Sequence, residues 1–352
     1  MKQGTTLPAR VRLGAIAAVA TAALLATGGL LALGAPVLAG LVLLLSITIA
    51  SAIAATGERG RWLWTGTAIG AAATFVVLAL PVCAPTPGPT SVVEGTLLGG
   101  RVLRPWFGIV PERELVAVGS IVGLTPDERR ETRHGELLTQ LYQAQPETTN
   151  RVFDEWLFGG SNGDRSHYRL LLPTGEGPFP LVIFLHGNGG PFGAYVALLQ
   201  QLSRQHGIAV ALPSYGFGHY RSGHARQRVM DLRAHLLATQ QIEPTRVVLA
   251  GLSAGAMGAL EIYDDNPESF CTCAAISGVP LGPFEPDGLE GHSIALLTGT
   301  RDERIPIELV RETAGRLRSA GATVSLEELD AGHFLMVTHN DAAMQVLRDA
   351  CR

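Results

Sequence analysis

No charged residue lies between Arg12 and Glu58, and none lies between Arg61 and Glu94. A membrane-crossing helix needs ~20 consecutive apolar residues, and the run 13–57 is long enough for two. Gly34-Ala35-Pro36 makes a sensible break between them, since Gly favours a helix end and Pro a helix start. A third apolar run opens at Trp62 and Trp64, where an interfacial aromatic belt would sit. Three spans are therefore expected, at 13–33, 36–56 and 62–82. The plainer alternative is a cleaved signal peptide followed by core helices, but signal h-regions run only ~7–15 residues. Lys2, Arg10 and Arg12 precede the first span, and Arg59 and Arg61 fall between the second and third. Both groups lie on one side of a three-span arrangement, and the positive-inside rule makes that side cytoplasmic. The expectation is a multi-pass protein of the cell membrane with its carboxy-terminal part on the exoplasmic side.

The net charge of −4 gives no concentrated basic surface, so nucleic acid is not an expected partner. Residues 1–83 read as the anchor. Ala84-Pro85-Thr86-Pro87-Gly88-Pro89-Thr90 reads as a semi-rigid spacer. Cys83 invites a lipid-anchor reading, but Leu80-Pro81-Val82 puts no small residue immediately before it. A helix is expected from Pro126, with Thr125 as its cap and acids in its first turn. Its periodicity runs on through Leu137, Leu138, Leu141 and Tyr142. Residues 84–149 are accordingly linker and helical extension.

From residue 150 to 352 the pattern alternates. Residues 151–158 and 167–172 read as two strands around a Gly-rich turn. Short apolar runs follow at 181–185, 208–212, 246–250, 272–276, 294–298 and 323–326. Helix-length segments separate them, at about 192–205, 224–240, 254–264, 307–320 and 336–350. Such alternation implies an α/β fold with a mostly parallel sheet flanked by helices. Ligands then bind outside the carboxyl ends of the strands.

Those ends hold the reactive residues. After the run 246–250 comes Gly251-Leu252-Ser253-Ala254-Gly255, a Gly-x-Ser-x-Gly between an expected strand and an expected helix. The glycines leave room for a sharp turn that lifts the serine hydroxyl clear of the sheet. A serine needs a base, and the base an orienting acid. Thr300-Arg301-Asp302 follows one strand, and Asp330-Ala331-Gly332-His333 follows the last.

On these motifs the region from Arg151 to the end resembles the α/β-hydrolase superfamily, with a look similar to its dienelactone-hydrolase-like and secreted-esterase members. The resemblance implies a triad of Ser253, Asp302 and His333. His186-Gly187-Asn188-Gly189-Gly190 matches the family's His-Gly loop, which implies the backbone N–H groups of Asn188 and Ala254 as oxyanion donors. It also implies carboxylic-ester hydrolysis on a small-molecule or lipid ester, with no cofactor. The segment between the strands at 276 and 294 is too short for a large lid. An open pocket around Phe192, Tyr215, Phe217 and residues 278–290 is expected.

Plainer roles compete at several positions. Asp330 and Glu303 are rival acids, with Asp330 more suited to supporting the His333 loop. His186 suits a structural role, and His219 and His224 suit the surface or rim. No His, Cys or acidic cluster has metal-ligand spacing, so no metal is expected. Cys271 and Cys273 share one strand face, poorly placed to bond each other; Cys351 bonding one of them is open. A peptidase or an exported acyltransferase would use the same triad. A non-catalytic membrane sensor or scaffold would be expected to have lost a triad member, and none is missing.

Overall fold

Leu181-Val182-Ile183-Phe184-Leu185 is buried along its whole length, so both faces of its strand are covered. Alternate side chains point to opposite faces of a strand. Leu181, Ile183 and Leu185 join one apolar core, and Val182 and Phe184 join another. A continuous apolar run is what a strand with helices above and below requires.

The computed structural model describes residues 9–32, 36–55, 92–96, 114, 116, 124–131, 133, 136–137, 140–141, 167–188, 193–213, 220 and 223–352. The chain divides into two compact units: residues 1–85 with 104–123, and residues 86–103 with 124–352.

In the first unit, α1 spans Ala9–Ala32 and α2 spans Pro36–Ala55. Within α1, Val11–Leu31 is long and apolar enough to cross a membrane, and only 6% of its most apolar stretch is buried. Leu13, Leu24, Leu25 and Leu31 are exposed. A helix apolar on every side is made for lipid or for a larger core, and at an amino terminus it fits an anchor and a signal sequence alike. The three expected spans reduce to this one among the described residues. α2 carries no charged residue over its 20 residues, with Leu38–Ser51 its described apolar stretch, and the third expected span, 62–82, lies outside the described residues.

In the second unit, β1 (Val92–Thr96), β2 (His167–Leu171), β3 (Phe179–Leu185), β4 (Ala209–Pro213), β5 (Ile242–Leu252), β6 (Thr272–Ile276), β7 (Ser293–Gly299) and β8 (Thr323–Leu329) form one sheet in the order β1-β2-β4-β3-β5-β6-β7-β8. β1 and β2 run antiparallel to their neighbours, and β4 through β8 are parallel. The expected hairpin of 151–158 with 167–172 has only its second strand among the described residues. A strand has two edges, and those of β2 are taken by β1 and β4. Residues 151–158 lie outside the described residues.

The helices are α3 (Pro126–Glu131), α4 (Gly193–His206), α5 (Gly223–Thr239), α6 (Ala254–Asp265), α7 (Ile307–Ser319), α8 (Leu335–Thr338) and α9 (Asn340–Ala350). Val229, Leu232 and Leu236 of α5, Leu260 and Tyr263 of α6, and Val310 and Leu317 of α7 cover one face of the sheet. Val196, Leu199 and Leu202 of α4, with Met344 and Leu347 of α9, cover the other. Fully burying a side chain of this size contributes about 1.5–3 kcal/mol, so these two layers hold the strands in register. The helix expected over 336–350 is broken at His339, where the backbone leaves helical geometry (φ −129°, ψ 48°).

Sheet order reverses around β3: the chain leaves it towards β4 and returns on its other side as β5. That reversal opens a crevice at the carboxyl ends of β3 and β5, and the motif residues stand there.

Candidate active site

Ser253 caps α6 immediately after β5, with φ 55° and ψ −118°. A side chain in that region carries about 1–3 kcal/mol of strain, held here by the packing of the turn. A Cβ on Gly251 would stand 2.4 Å from the carbonyl carbon of Gly255, and one on Gly255 would stand 2.1 Å from the carbonyl oxygen of Leu185. Only glycine at both positions lets strand and helix approach this closely. The Ser253 N–H donates to the Ile276 carbonyl at 2.9 Å, tying the turn to the end of β6.

His333 and Asp302 reach the serine from the ends of β8 and β7. The two loops are bonded to each other: the Thr300 N–H donates to the Leu329 carbonyl at 2.8 Å and the Arg301 N–H to the Ala331 carbonyl at 3.0 Å. His333 Nε2 lies 3.0 Å from Ser253 Oγ, and His333 Nδ1 lies 2.8 Å from Asp302 Oδ2. The Asp302 side chain is fully buried and that of His333 nearly so. An ionised carboxylate only accepts, so the network assigns the proton to Nδ1 and leaves Nε2 to accept from the serine hydroxyl. The other oxygen, Asp302 Oδ1, accepts from the Arg304 and Ile305 N–H groups, each at 2.9 Å. A buried carboxylate is costly unless paired and hydrogen-bonded, and here both oxygens are engaged. Such a line can draw the proton from a hydroxyl as its oxygen attacks an electrophilic carbon.

The rival acids stand elsewhere. Asp330 is largely exposed and receives Arg301 Nε at 2.7 Å, and Glu303 is exposed.

At the end of β3, His186 is buried with Nδ1 2.7 Å from the Gly187 carbonyl. The Gly187 N–H donates to the Tyr195 hydroxyl at 3.0 Å. Both backbone groups of Gly187 are thus held by side chains, next to exposed Asn188. Burial pushes the Tyr195 phenol up to about 12, so it stays neutral as an acceptor. Ala254 is the first residue of α6, where the N–H has no intrahelical acceptor. Phe192, Tyr215, Phe217 and His219 lie outside the described residues, as does the His224 side chain.

Tyr195 and Arg304 were not singled out by sequence. A tyrosine one turn into an amphipathic helix reads as core, and an arginine two residues past an acid carries no signal; their roles depend on contacts across the fold. Cys273 is buried within β6, and Cys271 is exposed immediately before the strand begins. Cys271, Cys273 and Cys351 are free thiols. Among the described residues no group of His, Cys, Asp and Glu comes together in a form that could hold a metal ion.

A family profile described as "Alpha/beta hydrolase family" matches residues 182–298. No curated protein matches the sequence at a significant level. Among solved structures, the chain is similar to a thermostable esterase (19% identity, TM-score 0.44, covering 53% of this chain and 60% of that one). It is similar to esterase PE8 (22% identity, TM-score 0.45, 51% and 97%). It is similar also to Est1E from Butyrivibrio proteoclasticus (12% identity, TM-score 0.42, 53% and 94%). These distant likenesses assign no activity. Strand order, elbow turn and the matched profile together give the second unit the α/β-hydrolase fold.

Proposed function

We propose that the chain is a serine hydrolase that cleaves carboxylic esters through an acyl-enzyme on Ser253. The observation that carries the reading is the unbroken line Ser253 Oγ, His333 Nε2, His333 Nδ1, Asp302 Oδ2, with steps of 3.0 and 2.8 Å. His333 takes the hydroxyl proton as Ser253 attacks the ester carbonyl, and Asp302 orients the imidazole and stabilises its charged form. The N–H groups of Asn188 and Ala254 receive the oxyanion; losing one such donor typically costs ~2.7–4 kcal/mol of barrier. His333 returns the proton to the leaving alcohol, then activates the water that releases the acid. Phe192, Tyr215 and Phe217 are the proposed substrate-side residues.

The test is labelling with a fluorophosphonate probe, followed by turnover of p-nitrophenyl esters against peptide anilides. Labelling of the wild type and not of Ser253→Ala, with ester turnover dominant, is the expected result. A folded wild type that takes no label sinks the assignment. Preferred cleavage of anilides would move the activity to peptides, and ester products formed with added alcohols would move it to acyl transfer.

The anchor reading narrows to α1, with Lys2, Arg10 and Arg12 on its cytoplasmic side and the catalytic unit exoplasmic. Protease digestion of sealed cells should remove the catalytic unit while the intact protein fractionates with membranes. A mature protein whose amino terminus begins beyond α1 would make that helix a signal sequence instead.

A further inference from the structure

α3 lies outside the region that carries the hydrolase motifs, yet its Glu128 forms a two-point contact with the loop bearing Asp302. Arg304 Nε donates to Glu128 Oε1 and Arg304 Nη2 to Glu128 Oε2, each at 2.6 Å, across 176 residues of sequence. Glu128 is itself fixed. Its Oε2 accepts the Thr125 N–H at 2.7 Å, and its own N–H donates to Thr125 Oγ1 at 3.2 Å. This reciprocal capping box pins the carboxylate to the first turn of the helix. The glutamate side chain is 12% exposed and that of Arg304 38%, so the pair is covered on the glutamate side and open to solvent on the arginine side.

The other end of the contact reaches both loops of the triad. The backbone N–H of Arg304 is one of the two donors that hold Asp302 Oδ1. The Arg304 guanidinium also lies over the Phe334 ring, 5.3 Å from its centroid. Phe334 follows His333 in sequence, and the two rings meet edge to face at 5.4 Å. One arginine thus touches the acid through its backbone and the neighbour of the base through its side chain. A planar guanidinium held in a fork has little freedom left.

We propose that Glu128 is a positioning residue for the triad: through Arg304 it holds the Asp302 loop and the His333–Phe334 segment in the geometry that the serine requires. This rests on the proposed triad and assigns the extension around α3 a part in the active site. Misplacing a catalytic group slightly lowers turnover without weakening ground-state binding, which separates positioning from a general contribution to folding.

The experiment uses the full chain, with active sites counted by fluorophosphonate titration and turnover followed on p-nitrophenyl acetate. Glu128→Gln is expected to lower kcat per titrated site about tenfold with KM within about twofold. Arg304→Ala is expected to do the same, and the double variant should be no slower than the slower single, because the two act as one unit. A merely structural contact would reduce the fraction of titratable sites or the Tm and leave kcat per site unchanged; that result overturns the proposal, as do single losses that multiply in the double variant. If Glu128→Gln does not fold, Arg304→Lys keeps the charge and the backbone N–H but gives up the fork, and the same fall in kcat per site is required of it. A wild type that cannot be titrated would overturn the triad itself, whereas a wild type that titrates alongside indistinguishable variants overturns only the role of Glu128.

Discussion

His333 Nε2 lies 3.0 Å from Ser253 Oγ although 80 residues separate them in sequence. Neighbouring strands β5 and β6 and the adjacent β7 and β8 close that gap by ending on the same side of the sheet. Because the three side chains form one hydrogen-bonded line, their removal should not be additive. Ser253→Ala and His333→Ala should each lower kcat by about 10⁶-fold, and the double variant should be no worse. Asp302→Asn should cost about 10⁴-fold, because an amide can stabilise the wrong tautomer. Steady-state ester hydrolysis measures all of these, and multiplicative losses in the double variant would mean that the line is not a working unit.

Gly255 tests the elbow itself. An added Cβ would meet the Leu185 carbonyl oxygen at 2.1 Å, and neither backbone can yield without moving β3 or α6. Gly255→Ala should destabilise the unit by about 2–4 kcal/mol and abolish probe labelling in the fraction that folds. Urea unfolding followed by circular dichroism reads the first effect. A variant of wild-type stability would show that the turn can relax.

Tyr195→Phe keeps the ring that packs against Phe184 and removes the acceptor of the Gly187 N–H. Leaving that buried donor unpaired should cost about 1–3 kcal/mol. It should also lower kcat, since Gly187 precedes the proposed oxyanion donor Asn188. The same stability loss with unchanged kcat would confine Tyr195 to a structural role.

The hydrogen bond from Arg304 holds Glu128 below its ordinary value of 4.5, with burial opposing. A carboxyl whose folded value is depressed adds stability that is fully present above its unfolded value and lost as pH falls through the folded one. The Tm advantage of the wild type over Glu128→Gln should therefore be constant above about pH 6 and shrink progressively below about pH 4.5. Thermal scans of both proteins across that range check it, and a difference independent of pH would mean that the charge of Glu128 does not contribute.

The elements of the carboxy-terminal unit were legible because local pattern and tertiary environment agree there. The runs around residues 181–185, 272–276 and 294–298 are buried on both faces, which a continuous apolar run announces. The elbow was legible for a similar reason: two glycines flanking a serine between strand and helix answer to contacts made within a few residues. The edge of the sheet was not. His167–Leu171 was assigned a neighbour in sequence, but its partners are Val92–Thr96 and β4, and strand pairing depends on which edge is open when the sheet assembles. The anchor is legible in part: Val11–Leu31 is long and apolar enough to cross a membrane, as the uncharged run implies, while 62–82 lies outside the described residues.

By itself, the sequence determined the α/β alternation, the two-faced core and the candidate serine, acid and histidine, since each is written in the spacing of apolar residues or in the ends of runs. Only the tertiary structure decided that Asp302 rather than Asp330 meets His333, that Tyr195 holds Gly187, and that Glu128 reaches Arg304. Those are contacts between side chains far apart in the chain. Their geometry exists only after the helices have docked on the sheet, so no local period or motif encodes them.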